Sequence, residues 1–343
     1  MLFCLFLKTN KEFVFLPAMP QFKIHHITRY TYEVPVRDSA NQVILFPVKD
    51  EYQTVLKQDL TITGEPAIEV YKDYYGNEVG TFMFADAHSE LRIDSKIEVV
   101  TKSRPMPEDT IVKEEQWAAL QAIKYQVPYI DYLKQESCEA VSEIKSDTQV
   151  GQYMQVTPLT AAQKLNEYIY REFQYIQGVT SVETTPDEIW KLKAGVCQDF
   201  AHILLVMLRM IGIPARYVSG YICPNRNGMR GEGATHAWVE AYIPNYGWLG
   251  LDPTNNCFVN DLHVRLAVGR NFTDCSPVKG TYKGTSNHNL EVGVSVSYED
   301  GHVQDDRATI LKPQPVTNGG NKTDENSYRK HLEMIQQQQQ QQQ

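Results

Sequence analysis

Hydrophobic and polar positions follow two rhythms along the chain. From Gln21 to Thr101 the rhythm is that of strands. The run FKIHHITRYTYEV is rich in β-branched and aromatic residues with partial alternation. Further strands are predicted at 42–46, 54–63, 67–72, 78–84 and 93–101, with turn residues at Gly64-Glu65-Pro66 and Tyr75-Gly76-Asn77 between them. Short strands at this spacing predict a β-sandwich domain over residues 19–103. Past Pro105 and Pro107 the period lengthens. Residues 114–124 and 137–145 predict helices inside a partly helical linker, 104–155. Leu165, Ile169 and Phe173 share one face of a helix predicted at 159–173, and Thr185-Pro186-Asp187-Glu188 reads as a capped helix start. Phe200, Ile203, Leu204, Met207, Leu208 and Ile211 form the stripe of an amphipathic helix, 197–211, stopped by Gly212 and Pro214. Strands follow at 216–222, 236–243 and 248–252, the last two joined by a turn at Pro244-Asn245-Tyr246-Gly247. Residues 290–298 alternate again and predict a late strand, closing a second region, 156–300.

Composition narrows the picture mainly by exclusion. The chain has 343 residues, enough for about two domains with their own cores. Its formal net charge is −9, with no global basic footprint for nucleic acid. The most apolar long stretch, 200–215, is interrupted by His202 and Arg209, so no membrane span is predicted. The six cysteines are scattered, without CxxC pairs or zinc spacing, which favours a reducing compartment over a disulfide scaffold. A cytoplasmic location is expected. Export is the alternative if residues 1–18, read here as an unstructured extension, are a degraded signal. Residues 301–343, ending in the glutamine run 336–343, are expected to be disordered. No phosphate loop, dinucleotide fingerprint or metal cluster is found, so no cofactor and no metal are expected.

The chemistry concentrates between Ala194 and Asn255. Cys197 stands where the Gly195 turn gives way to the amphipathic helix, and a helix N-terminus favours a thiolate. His236 opens one strand of the hairpin and Asp252 closes the other, so the two can lie side by side. Nucleophile, base and orienting carboxylate would then be complete, with backbone N–H groups after Cys197 placed to hold an oxyanion. Taken singly, each residue has an ordinary reading: an inert buried cysteine, a satisfied histidine, a turn aspartate before Pro253. Taken together, in this order on these elements, the functional reading is the stronger.

The stretches GVCQDFAHILLVMLRMIGIPARYVSGYI and THAWVEAYIPNYGWLGLDPTNN closely resemble the transglutaminase-like superfamily. They are most similar to a bacterial branch whose members are described as candidate cysteine proteases. HHITRYTYEVPV, residues 41–47 and DYYGNEV resemble that branch's N-terminal β domain, and HVRLAVGRNFTDCSPVKGTY extends the likeness past the hairpin. The resemblance implies an α+β protein with an N-terminal β-sandwich followed by a papain-like, transglutaminase-type catalytic core. It implies Cys197 as nucleophile, His236 as general base and acid, and Asp252 as orienter. The implied reaction is acyl transfer from an amide through a thioester, on a peptide or protein substrate. Asn271 departs from the pattern, since many relatives have an acidic residue there.

Other candidates carry less. Tyr175 can donate to an oxyanion, though a core tyrosine is the commoner fate. Gln198 is a candidate for the site rim; Trp238 and Trp248 are read as packing the hairpin, with a place on the rim or cleft floor as the alternative. His202 is read as packing. Rings of the dipeptide His25-His26 face opposite sides of a strand and make a poor metal pair. Arg216 and Arg230 can bind an acidic group, with ion pairing as the default. Cys223 and Cys257 flank the strands. The expected function is thiol-dependent amide hydrolysis by a peptidase or amidase. A protein-glutamine amine transferase is the near alternative, and a non-enzymatic binding or scaffold module that kept the fold is the distant one. The sequence names no partner for the N-terminal domain.

Overall fold

The computed structural model describes residues 19–135, 138–223, 229–231, 234–284 and 287–299, and the backbone of 312–313. The extension at 1–18 and almost all of the tail lie outside this set. The first half is built on one long strand, β1 (Gln21–Val43), followed by β2 (Gln53–Ile62), β3 (Glu69–Lys72), β4 (Glu78–Phe84) and β5 (His88–Thr101). Helices α1 (Lys113–Ile123), α2 (Tyr129–Leu133) and α3 (Val141–Asp147) and a 3₁₀ turn at Val150–Gln155 lead to α4 (Pro158–Glu172). Next come β6 (Gln174–Tyr175), α5 (Pro186–Leu192), β7 (Ala194–Gly195) and α6 (Cys197–Met210). The chain continues through β8 (Ala215–Ile222), β9 (Ala234–Ile243), β10 (Gly247–Asp252), β11 (Cys257–Phe258), β12 (His263–Gly269) and α7 (Phe272–Cys275). It closes with β13 (Val278–Lys283), β14 (His288–Tyr298) and β15 (Lys312–Pro313).

The molecule is α+β. Strand β1 belongs to two sheets. Its first part, Gln21–Thr31, lies between β14 and β5, and its last part, Ser39–Val43, lies between β13 and β4. Register shifts between Thr31 and Val36 mark the bend from one sheet to the other. The predicted strand at 290–298 is therefore a strand, but it is hydrogen bonded to β1 rather than to the strands that carry the site. Lys312–Pro313, inside the segment expected to be disordered, pairs with β14. A separate antiparallel sheet, in the order β11-β10-β9-β8-β12, supports the site.

Helix α6 packs on β8 and β9 and is touched by α4 and α5. Its predicted stripe is buried throughout, but Leu205 and Val206 are buried too, because other elements cover the far face. Even Arg209 is buried, at 6% exposure. Its guanidinium donates to the carbonyls of Tyr132 (3.1 Å), Ala215 (3.0 Å) and Lys134 (3.2 Å), so the charge is solvated by backbone. Thr185 caps α5 through a capping box with Glu188, as the sequence predicts.

Candidate active site

Cys197 is the first residue of α6, half-buried. The turn before it is shaped by Asp199, whose carboxylate reaches back to accept from the Val196 N–H (2.7 Å) and from Thr180 Oγ1 (2.6 Å). A Cβ on Gly195 would collide with that carboxylate, which is why glycine stands there. The short parallel pair of β6 and β7 places Tyr175 opposite Gly195, beside the start of α6.

His236 and Asp252 come from the β9–β10 hairpin. The register pairs Leu251 with Val239, so Asp252 stands level with Trp238, and His236 is its diagonal neighbour on the same face. His236 Nε2 lies 2.8 Å from Asp252 Oδ2, and both side chains are fully buried. The carboxylate is further held by the N–H groups of Thr254 (2.9 Å) and Asn255 (3.2 Å) on Oδ1 and by Asn255 Nδ2 (2.8 Å) on Oδ2. Nδ1 of His236 is buried without a hydrogen-bond partner. That is the nitrogen available to Cys197.

The electrostatics follow from this packing. Burial pulls the His236 pKa down, but the Asp252 charge and hydrogen bond, helped by Cys197, overcome it and raise the value to about 10. Burial pushes Asp252 up, and the charge and hydrogen bond of His236, with the bond from His263, hold it well below the carboxylate range. The arrangement is a carboxylate that stabilises an imidazolium next to a thiol at a helix N-terminus.

The structure brings Tyr175 into this site. Its hydroxyl and His236 Nδ1 both border Gly231, where an added Cβ would lie 3.6 Å from the one and 3.5 Å from the other, and its pKa is raised by burial and then by Cys197. Gln198, the second residue of α6, has intermediate exposure. Trp238 is not on a rim. It is fully buried in a small cluster with Val218 and Val268, because a residue two along from His236 on an inward-facing strand points into the sheet's packing. His202 packs as expected, its ring 5.4 Å from Tyr217 and its Nε2 accepting from the Phe272 N–H (3.2 Å).

His25 and His26 diverge: His25 bonds Asp94 (2.8 Å) and His26 bonds Tyr221 Oη (2.9 Å). Arg216 is spent on buried Glu240, 2.7 Å from Nε, and stacks over Trp248. Arg230 lies over the Tyr170 ring, its backbone tied to Asn255. Cys223 and Cys257 are free thiols. Asn271 caps α7 by accepting from the Asp274 N–H (3.3 Å), a role an acidic residue serves equally.

One residue near the centre escaped the sequence reading. His263, the first residue of β12, places Nε2 3.3 Å from the same Asp252 oxygen that His236 uses. Ligand atoms of His236, Asp252 and His263 all lie within 4.8 Å of one another, the only such metal-capable group among the described residues. That closeness is the closeness of two hydrogen bonds and needs no ion to explain it.

Comparison with known proteins agrees with the fold. A model described as the transglutaminase-like superfamily matches residues 148–253, and one described as the bacterial transglutaminase-like N-terminal region matches residues 22–100. An uncharacterized protein of Mycobacterium leprae (strain TN) is 31% identical over 282 residues, 81% of this chain and 99% of its own. A candidate cysteine protease from Cytophaga hutchinsonii shares the fold, with a TM-score of 0.64 at 19% identity over 86% of this chain and 93% of that one. A protein-glutamine gamma-glutamyltransferase of Pseudomonas aeruginosa is 36% identical over 80 residues, 22% of this chain and 12% of that protein.

Proposed function

Because the chain belongs to the transglutaminase-like superfamily, we propose that it is a thiol-dependent amide-bond hydrolase, a peptidase or amidase, with Cys197, His236 and Asp252 as its catalytic residues. The observation that carries this reading is the buried His236 ring, with Nε2 on Asp252 and Nδ1 left for Cys197. The Cys197 proton already rests on His236, as an imidazolium beside Asp252, and in the first step the sulfur attacks the amide carbonyl. The tetrahedral oxyanion is met by N–H groups at the start of α6 and by the Tyr175 hydroxyl. Collapse breaks the C–N bond, the amine leaves with the proton from His236, and a thioester remains. His236 then takes a proton from water, which attacks the thioester and releases the acid and the thiol. Asp252 stays ionised throughout and fixes the imidazole.

The likeness to a gamma-glutamyltransferase supports a second reading, in which a primary amine replaces water at the thioester. No helix among the described residues is long and apolar enough to cross a membrane. The five described cysteines are free thiols.

Site-resolved alkylation with iodoacetamide tests the proposal. Cys197 is expected to react below the pH of an ordinary thiol, about 8.5, and well ahead of Cys138 and Cys257. Equal rates at all cysteines would return the protein to a scaffold role. With a glutamine-containing protein, new N-termini or free acid mark the hydrolase. Amine incorporation without them marks the transferase. Cys197→Ala should abolish either activity while leaving the melting temperature nearly unchanged.

A further inference from the structure

We propose that His263 is a positioning residue that holds the Asp252 carboxylate against His236, and that the N-terminal sheet keeps it in place by closing the outer edge of β12. This inference rests on the proposed roles of Cys197, His236 and Asp252.

Three observations converge on it. First, His263 is buried and aimed at the carboxylate, not at any substrate. Its side chain has no exposed surface, and its Nε2 shares Asp252 Oδ2 with His236. An ionised carboxylate can only accept, so a proton on Nε2 makes the ring a donor to Asp252, while Nδ1 faces Asn260, 3.3 Å from its N–H and 3.1 Å from its Oδ1. Second, the rings are wedged together. Trp238 meets His263 edge-on at 5.3 Å and lies 6.2 Å from His236. These side chains start from β9 and β12, with β8 between them. Gly220 of β8 makes the meeting possible, since a Cβ there would collide with the Trp238 ring and with the Val264 carbonyl.

Third, β12 pairs with β8 along one edge only, and the other edge is closed by the first half of the chain. The Val48 N–H donates to the Arg265 carbonyl (3.0 Å). The Gln53 amide takes the Arg265 N–H (2.7 Å) and gives to its carbonyl (2.8 Å). The Asn77 amide does the same to Val268, with both bonds at 2.8 Å. Thr101 Oγ1 donates to the Asp261 carbonyl, two residues before His263. Two carboxamides thus stand in for the missing neighbouring strand, and the strand they hold begins at His263.

The titratable and charged groups around this trio are Cys197 on α6, Tyr175 on β6, Cys257 on β11, Asp261 before β12, and Arg230. Asp252 is the group through which His263 acts on His236. With His263 gone, the carboxylate loses a donor and the wall that confines it. The imidazolium is then less stabilised, and the thiolate forms at higher pH.

The experiment is the pH dependence of Cys197 carboxamidomethylation by iodoacetamide, read by mass spectrometry on the full chain. The variants are His263→Ala, His263→Gln and Asn77→Ala, each with its melting temperature. His263→Ala should move the rise in rate by about one unit to higher pH, a roughly tenfold slowing on the acid side. His263→Gln places an N–H near the lost Nε2 and should restore most of the wild-type profile. Asn77→Ala, far from the sulfur, should shift the profile in the same direction by less. A His263→Ala profile that superimposes on wild type overturns the proposal. So does a folded His263→Gln as impaired as His263→Ala, since only packing would then be at stake. If His263→Ala does not fold, the Gln and Asn77 variants decide in the same way. A wild-type Cys197 no more reactive than its neighbours would instead sink the catalytic reading on which this one stands.

Discussion

Asp252 collects five hydrogen bonds on two oxygens, and this concentration makes stability depend on pH in a readable way. His236 has a folded pKa raised from 6.5 to about 10, so the stability it contributes is complete below pH 6.5 and is lost as pH rises towards 10. His26 and His202 work in the opposite window. Burial lowers both to about 4, with a neighbouring His25 adding for His26 and Arg209 for His202. Their contribution is present above pH 6.5 and is lost as pH falls to about 4, at about 1.4 kcal/mol per pH unit for each proton taken up. Urea midpoints measured from pH 4 to 10 should therefore fall on both flanks. His236→Gln should flatten the alkaline flank alone, and His202→Gln should soften the acid one. At this scale the sequence was informative where chemistry and local structure coincide. Cys197 declared itself by a glycine turn and a helix start, and His236 and Asp252 by a hairpin. Trp238 packs rather than lining a rim, a choice that alternation along β9 alone cannot make, since it says which residues share a face and not whether that face is covered. His263 was invisible because it reaches Asp252, on β10, across two intervening strands, β8 and β9, through the gap left by Gly220.

At the scale of elements, the strands at 53–62, 78–84, 215–222 and 247–252 and the helices α1, α4, α5 and α6 fall where the residue pattern puts them, within a residue or two. What the pattern could not supply is the polar joinery between them. Glu240, at 2% exposure, sits on β9 between Arg216 (2.7 Å) and Arg265 (3.1 Å), and Arg265 continues to Asp50 in the loop before β2. Burial pushes the Glu240 pKa up, but the two arginines pull it down to about 2. Removing one member of such a set leaves uncompensated charge behind. Glu240→Ala should cost about 3–5 kcal/mol in denaturant unfolding, whereas Lys57→Ala, an exposed pair partner of Asp59, should change almost nothing. The short helix α2 and the 3₁₀ turn at 150–155 were also missed. Five or six residues carry too little period to be read, and both are held by tertiary contacts such as those of buried Tyr132 and Tyr153.

For the whole molecule, the decisive feature is β1, which takes partners from residues 78–101 on one side and from residues 278–298 on the other. The residue pattern predicts these segments as strands but not their partners, since pairing between distant strands leaves no local trace. A chain ending at Ser276 should be largely insoluble, because β1 would expose a bare edge some twenty residues long. Supplying a peptide of residues 278–299 in trans should recover part of the soluble fraction, and a fully soluble, cooperatively melting truncation would contradict the assignment. The same feature sets a timetable during synthesis. The second set of neighbours of β1 follows it from the ribosome only after the segment bearing Cys197, His236 and Asp252 has been translated, on the order of ten to fifty seconds later at ordinary elongation rates. The nascent chain must keep one edge of β1 unsatisfied for that whole interval, so the open strand stays exposed to pairing with other chains until the last segment arrives.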